Sequence, residues 1–315
     1  MSKPKVSIVM NCLNEEMYVQ QAIDSVFDQT FKDWEIIFWD NASTDKSAEI
    51  AKSYGEKVRY FYNKETDPVG KARNLCISKA KGEFIAFLDC DDIWMPKKLE
   101  KQIPLFEKDP DVGLTFTDAI FFSEKGDICQ LYKKFKPPRG RIFPQLFRKY
   151  FLCITSVMLR KTAIENMSWF DERLNFIEDA CFFWRLAYKH KLDYCDEPLT
   201  KYRVRFDSGT IKDFGCLAEE RNLALQTLRE EFPEIDEKFS RDIKIYQVKT
   251  NAQKAINEWA NNQSSKAREI LKSTYPKSSL IYVLYLITFL PRSTFNYLYI
   301  LNHEIKNWVN WYKFG

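Results

Sequence analysis

One stretch constrains the fold more than any other. Phe84-Ile85-Ala86-Phe87-Leu88 is an unbroken apolar run, and Asp89-Cys90-Asp91-Asp92 follows it directly, ahead of Ile93-Trp94-Met95-Pro96. A run without polar alternation predicts a strand buried on both faces, as in a parallel sheet. Three carboxylates then stand at the C-terminal end of that strand, the edge where open α/β sheets bind ligands. Carboxylates so crowded repel one another unless something positive sits between them. A hard divalent cation bridging to phosphate oxygens is one such group; a solvated acidic loop capping the next helix is the alternative. Pro96 is expected to open that helix as its first residue.

The sequence before this run has the same character. Val6 to Met10 is a short apolar strand. Val19, Ala22, Ile23, Val26 and Phe27 then form one stripe of an amphipathic helix. Trp34 to Trp39 is a second strand ending at Asp40, and Asn41 to Asp45 is turn and cap chemistry before a helix over 45–54. Val58 to Tyr62 is a third strand and Gly70 to Ala80 a helix. Residues 1–122 thus alternate strand and helix, the pattern of a mostly parallel sheet with helices on both faces.

Composition narrows the chemistry. With 315 residues, 45% hydrophobic and 16% aromatic, the chain buries a core and holds one large domain or two. A net charge of +4 is too weak to argue for nucleic acid. The eight cysteines show no Cys-x-x-Cys spacing and read as thiols in a reducing compartment. With two histidines, His190 and His303, acid–base work falls to carboxylates. Nine glycines, none forming Gly-x-Gly-x-x-Gly after the first strand, leave no dinucleotide turn or P-loop. A phosphate would be held by metal and basic side chains. A strand pattern already beginning at Val6 leaves no room for a signal peptide, so a cytoplasmic location is expected.

Beyond residue 122 the signals thin. Pro96 to Lys108 reads as a helix and Val112 to Phe122 as one or two strands. Residues 123–142, polar and basic, read either as a mobile loop closing over a ligand or as a solvated surface loop. Ser156 to Arg160 is a strand. The spacing of Phe182, Phe183, Leu186 and Ala187 predicts a helix with Glu178-Asp179 at its N-terminus, where the dipole favours ionised carboxylates; plain N-capping is the alternative. Leu192 to Arg205 reads as one or two strands broken at Glu197-Pro198. From 213 the chain is helical. Leu223, Leu225, Leu228, Ile243, Ile245, Val248, Ala252 and Ile256 are expected to pack on the sheet or form an oligomer contact. Leu280 to Leu290 is apolar for eleven residues, short of the about twenty that span a bilayer. Phe295, Tyr297, Tyr299, Trp308, Trp311, Tyr312 and Phe314 then interleave with Arg292, His303, Lys306 and Lys313. That mixture suits either a membrane interface or a buried helix pair.

Taken in order, these stretches resemble the family 2 glycosyltransferases, whose fold is the GT-A nucleotide-sugar-binding domain. The matching pieces are Val6 to Met10 with Asn14-Glu15, Ile36 to Asp40 with Ser43-Thr44-Asp45, and Gly70 with Ala72-Arg73-Asn74, Ala80 and Gly82. Phe87 to Asp92 matches the Asp-x-Asp motif, and Glu178-Asp179 with Trp184-Arg185 the Glu-Asp motif. The resemblance covers 1–122 strongly, 155–206 moderately and 213–315 hardly at all. It implies a GT-A domain over 1–212, with a nucleotide-binding half at 1–122 and an acceptor-binding half at 123–212. A C-terminal helical region at 213–315 follows, membrane-associated at 278–315 if the aromatic tail lies in an interface.

The resemblance also implies roles. Asp40 would hydrogen-bond the nucleotide base, and Asn11, Leu13, Asn14, Glu15 and Cys90 would line the donor site. Arg73 would lie near base and diphosphate, and Asp89 near the ribose and the metal. Asp91 would ligate Mn²⁺ or Mg²⁺, which neutralises the departing nucleoside diphosphate. Asp179 would be the general base of an inverting transfer, and Glu178 would orient the acceptor. Arg203 or Arg205 would meet the diphosphate. The partners implied are a nucleotide-diphosphate sugar, with UDP-sugars favoured, and a glycan or lipid-linked sugar acceptor in polysaccharide assembly at the cell envelope. Peripheral contact with the cytosolic membrane face is part of the same expectation. Two departures stand out. Asn11 and Leu13 replace the Pro and Tyr usual in the first turn, and Asp40-Asn41-Ala42-Ser43 replaces Asp-Asp-Gly-Ser. The rival readings are a nucleotidyltransferase that makes a nucleotide sugar and a non-catalytic homologue that binds one.

Overall fold

The computed structural model describes residues 3–205, 216–275 and 279–290. Two compact units divide the chain: Met1–Phe143 with Leu152–Ser208, and Pro144–Phe151 with Gly209–Gly315.

The first unit is built on a nine-stranded sheet. Its opening half alternates as expected: β1 (Val6–Cys12), α1 (Val19–Phe27), β2 (Trp34–Asp40), α2 (Ser47–Ser53), β3 (Val58–Tyr62), α3 (Val69–Lys79) and β4 (Phe84–Phe87). Then come β5 (Ile93–Trp94), α4 (Lys98–Lys108), β6 (Val112–Ser123), β7 (Gly126–Gln130), α5 (Phe143–Arg148, all but its first residue in the second unit), β8 (Met158–Arg160), α6 (Glu178–Lys189) and β9 (Lys191–Arg203). The strand order is β3-β2-β1-β4-β8-β6-β9-β5, with β7 on β6. Strands β3, β2, β1 and β4 are mutually parallel, β8 runs antiparallel between β4 and β6, and β6 pairs parallel with β9.

The apolar runs follow from burial on both faces. Ile8, Met10, Ile36, Phe38, Phe84 and Ala86 pack with Ala22, Ile23, Val26, Ala51, Leu99 and Ile103 of α1, α2 and α4. Phe87, one residue out of phase, turns the other way and meets Phe170 at 5.8 Å and Phe183 of α6 at 6.2 Å. Gly82 enters β4 where a Cβ would lie 2.5 Å from the Ser7 nitrogen, so any side chain there would push β1 and β4 apart.

Three expectations are corrected. Pro96 does not open α4: Ile93–Trp94 first pairs with β9, and the helix starts at Lys98. The stretch 123–142 is not one open loop. Residues 126–130 return along β6 as a hairpin, and the buried Asp118 carboxylate accepts from the Tyr132 N–H (2.9 Å) and Gln130 Nε2 (2.7 Å), which draws the chain beyond it inward. Pro198 does not break β9. The register against β6 jumps from Thr117↔Cys195 to Asp118↔Pro198, so a bulge absorbs the residue that cannot donate.

The second unit contains α7 (Leu217–Glu231), α8 (Ile235–Lys238), α9 (Ser240–Ala260), α10 (Ser264–Ser273) and α11 (Ser279–Ile287). Val248, Ala252, Ala255 and Trp259 pack with Ala267, Leu271 and Ile281, so two of the apolar positions expected on the sheet or in an oligomer contact, Val248 and Ala252, serve a helical core. Segment 144–151 joins this unit because Phe147 stacks on Tyr246 at 4.7 Å and Arg148 pairs with Asp242. No helix among the described residues is long and apolar enough to cross a membrane. The aromatic positions from Phe295 to Phe314, with Arg292, His303, Lys306 and Lys313, lie outside the described residues.

Candidate active site

Parallel register decides where the site sits. Cys12 pairs with Asp40 and Val9 with Phe87, so the turns after β1, β2 and β4 leave the sheet at one edge. The first two turns are stitched together. Asn14, in the left-handed region at φ 56°, gives its N–H to Ser43 Oγ (3.0 Å), and its Oδ1 accepts from the Thr44 N–H (2.8 Å). The Glu15 N–H reaches Ser47 Oγ at 2.9 Å. Ala42 holds φ 70°, the left-handed conformation that glycine adopts without strain.

Asp40 is fully buried within this framework. Its Oδ1 accepts from the Ser43 N–H at 2.8 Å and its Oδ2 from the Tyr60 hydroxyl at 2.5 Å. Leu13 is exposed. The Cys90 thiol is buried and donates to the Asn11 carbonyl at 3.4 Å. These residues surround the edge, but the structure joins only some of them directly.

The strongest junction is Arg73. Its Nη1 donates to Glu178 Oε1 at 2.6 Å and its Nη2 to Asp89 Oδ1 at 3.0 Å. Helix α3 thereby ties the acidic turn after β4 to the N-terminus of α6. Gly70, one turn earlier on α3, leaves room for the close approach: a Cβ there would lie 3.4 Å from the Asp171 carbonyl oxygen and 3.6 Å from Glu178 Cγ. Burial works against the charge on Arg73, yet Asp89, Glu178 and Asp179 together hold its pKa above the ordinary value. Burial pushes Glu178 up to about 8 against the pull of Arg73, with Asp179 and Asp89 adding to the rise. Asp179, half-buried in the first turn of α6, accepts the Ala180 N–H at 2.6 Å.

Asp91 lies across the turn. Its Oδ2 is 3.3 Å from Arg205 Nε, while Arg205 also grips Glu15 through both carboxylate oxygens at 2.7 and 2.8 Å. Burial first, then Asp89 and Glu15, push Asp91 up to about 7 against Arg205. Asp92 is buried beneath. Its Oδ1 accepts the Arg203 N–H at 2.7 Å, and its Oδ2 has no hydrogen-bond partner among the described residues.

Sequence reasoning missed the loop that carries α6 into place. Asn74 Nδ2 donates to the Phe170 carbonyl (3.0 Å) and Asn74 Oδ1 accepts the Phe170 N–H (3.0 Å); Arg185 holds the Trp169 and Ser168 carbonyls. The available signal was Trp169-Phe170-Asp171, an aromatic pair ahead of a carboxylate in an otherwise unpatterned stretch.

The model of the glycosyl transferase family 2 matches residues 7–168. An uncharacterized glycosyltransferase of Methanocaldococcus jannaschii is 35% identical over 210 residues, 65% of this chain and 72% of that one. The solved structure of S. aureus TarS 1-349 with UDP-GlcNAc superposes with a TM-score of 0.63 at 17% identity, over 86% of this chain and 81% of that one. The mannosyltransferase PcManGT of Pyrobaculum calidifontis, in complex with GDP-Man and Mn²⁺, gives 0.59 at 16% identity, over 98% and 88%. The chain belongs to glycosyl transferase family 2, and the two structural likenesses show that its fold is of the GT-A type.

Proposed function

We propose that the protein is an inverting, cation-assisted glycosyltransferase that moves a hexosyl group from a nucleoside-diphosphate sugar to an acceptor hydroxyl. The observation that carries this reading is the Arg73 bridge, which puts the Asp89–Asp91 turn and the helix terminus bearing Asp179 at one edge. Asp179 takes the proton as the acceptor oxygen attacks the anomeric carbon, and the bond to the diphosphate breaks with its electron pair on the leaving oxygen. Single displacement inverts the anomeric centre. Glu178, pinned by Arg73, fixes the start of α6 and with it the direction of Asp179.

Asp91 and Asp89 fit a Mn²⁺ or Mg²⁺ ion, because their oxygens are hard donors and the neighbouring carboxylates crowd Asp91. No group of three carboxylate, thiol or imidazole side chains among the described residues is placed to hold a metal. Two carboxylates with substrate phosphates are the usual set for Mg²⁺. Bound there, the cation would neutralise charge on the leaving diphosphate. The donor proposed is a UDP-sugar, with a GDP-sugar as competitor, because the two structural neighbours hold one of each. Family membership favours transfer over nucleotide-sugar synthesis, and the retained Asp91 and Asp179 favour turnover over binding alone.

The test is Asp179→Asn. Expected is a fall in kcat of about 10²–10⁴ with the thermal shift by UDP or GDP and Mn²⁺ unchanged. Full activity in the variant would remove Asp179 from the mechanism.

A membrane contact is the second part of the proposal. In the second unit Tyr282, Val283, Leu286, Phe289 and Leu290 are exposed, and no charged residue occurs between Lys277 and Arg292. Such a face suits a lipid interface. The double substitution Leu286→Ser with Phe289→Ser should lower co-sedimentation with anionic vesicles severalfold; equal sedimentation would refute the contact.

A further inference from the structure

Two arginines close the acidic edge, and they are held differently. Arg203 is built into the turn. Its N–H goes to Asp92, its Nε to the Asp91 carbonyl at 2.8 Å and its Nη2 to Gln21 at 2.7 Å, while its guanidinium lies 4.4 Å from both the Tyr18 and Phe122 rings. Arg205, two residues on, takes side-chain carboxylates instead: both oxygens of Glu15, and Oδ2 of Asp91.

We infer that Arg205 is a resident counter-ion of the donor-free enzyme, occupying the Asp91 carboxylate that a divalent cation would take as a ligand, so that cation and guanidinium exchange. The inference rests on the reading of Asp91 as a metal ligand.

Charge and burial support the exchange. Glu15, Asp89, Asp91 and Glu178 bring four carboxylates to the edge; Arg73 spans Asp89 and Glu178, and Arg205 spans the other two. The side chains of Arg205, Glu15 and Asp91 are 20%, 17% and 20% exposed, so the attraction is little screened. A planar fork engaging one carboxylate with both Nη atoms is the strong form of such a pair. A cation ligated through Asp91 Oδ2 meets that guanidinium at the same oxygen, and like charges there repel. Once withdrawn, Arg205 remains at the edge where the diphosphate binds. Metal and nucleotide therefore bind cooperatively, each favouring the released guanidinium.

The test is Mn²⁺ binding to the full-length, nucleotide-free protein, followed by the electron paramagnetic resonance of free Mn²⁺. Arg205→Gln should bind Mn²⁺ about tenfold more tightly than the wild type, with the gap narrowing in the presence of UDP or GDP. Unchanged or weaker binding overturns the inference. Arg205→Lys keeps the charge without the fork and should fall between the two, which covers a Gln variant that does not fold. In the wild type, Mg²⁺ should shift the Arg205 Nε–Hε nuclear magnetic resonance, assigned by its loss in Arg205→Lys; a static signal is a second way to overturn the exchange. Asp91→Asn separates the two levels. If it leaves Mn²⁺ binding intact, the metal-ligand reading fails and the inference with it. If it abolishes binding while Arg205→Gln changes nothing, the exchange alone fails.

Discussion

The two halves of the sheet position their chemistry in different ways. In the β3-β2-β1-β4 half, the candidate side chains stand at or just beyond strand ends, and the parallel register brings Asn11, Asp40 and the turn bearing Asp89 to one edge. In the half built from β6, β8 and β9, strands run both ways, the register against β9 shifts at three places, and the proposed base arrives on a helix at the end of an irregular loop. Asn74 of α3 holds that loop at Phe170, and Arg73 of α3 holds the first residue of α6, Glu178. The halves thus hold each other: Arg73 and Asn74 of α3 fix the start of α6 and its loop, while Arg203 at the end of β9 and Arg205 just beyond it hold the turns after β4 and β1.

Breaking the Arg73 contact should have the largest effect. Arg73→Met removes the buried guanidinium that bridges Asp89 and Glu178, at a cost of about 3 kcal/mol or more in urea unfolding. Hydrogen exchange should rise in 166–180 before it rises in β1 or β2. Uniform loosening of both halves would break the comparison.

The charge state of Glu178 gives a signed effect. Its carboxyl lies near 8 in the folded protein against an ordinary 4.5. Below pH 4.5 both states carry the proton and the group has no influence. Between 4.5 and 8 the unfolded chain ionises while the folded one resists, so this contribution to stability declines as pH rises and is lost above 8. Glu178→Gln removes the decline. Relative to wild type it should gain on the order of 1 kcal/mol per pH unit in urea melts between pH 5 and pH 8. A loss over the same range would mean that Arg73 keeps Glu178 ionised throughout.

The smallest expected effect lies in the parallel half. Ala42 occupies a left-handed conformation, so Ala42→Gly should stabilise the protein by about 1 kcal/mol. Donor affinity should be unchanged, because the turn's hydrogen bonds come from its neighbours Asp40, Ser43 and Thr44.

The same division marks what could be read in advance. The strands β1 to β4, the helices α1 to α3 and the α6 terminus at Glu178 were all legible, because apolar period and cap chemistry are local. The hairpin over 126–130 was not, since its polar strand is held by pairing with β6 and by the buried Asp118, eight residues upstream of its start. Nor was the single strand through Pro198, where a bulge against β6 absorbs the break.

By itself the sequence determined that carboxylates stand at the end of a doubly buried strand and that a Glu-Asp pair begins a helix, because each is a property of neighbouring residues. Only the tertiary structure decided that Arg73 joins Asp89 to Glu178 and that Arg205 closes on Glu15 and Asp91. Those contacts span 16 to 190 residues of chain. Partners so far apart meet only after the sheet order and the parallel register are in place, and no local pattern encodes which charge will lie opposite which.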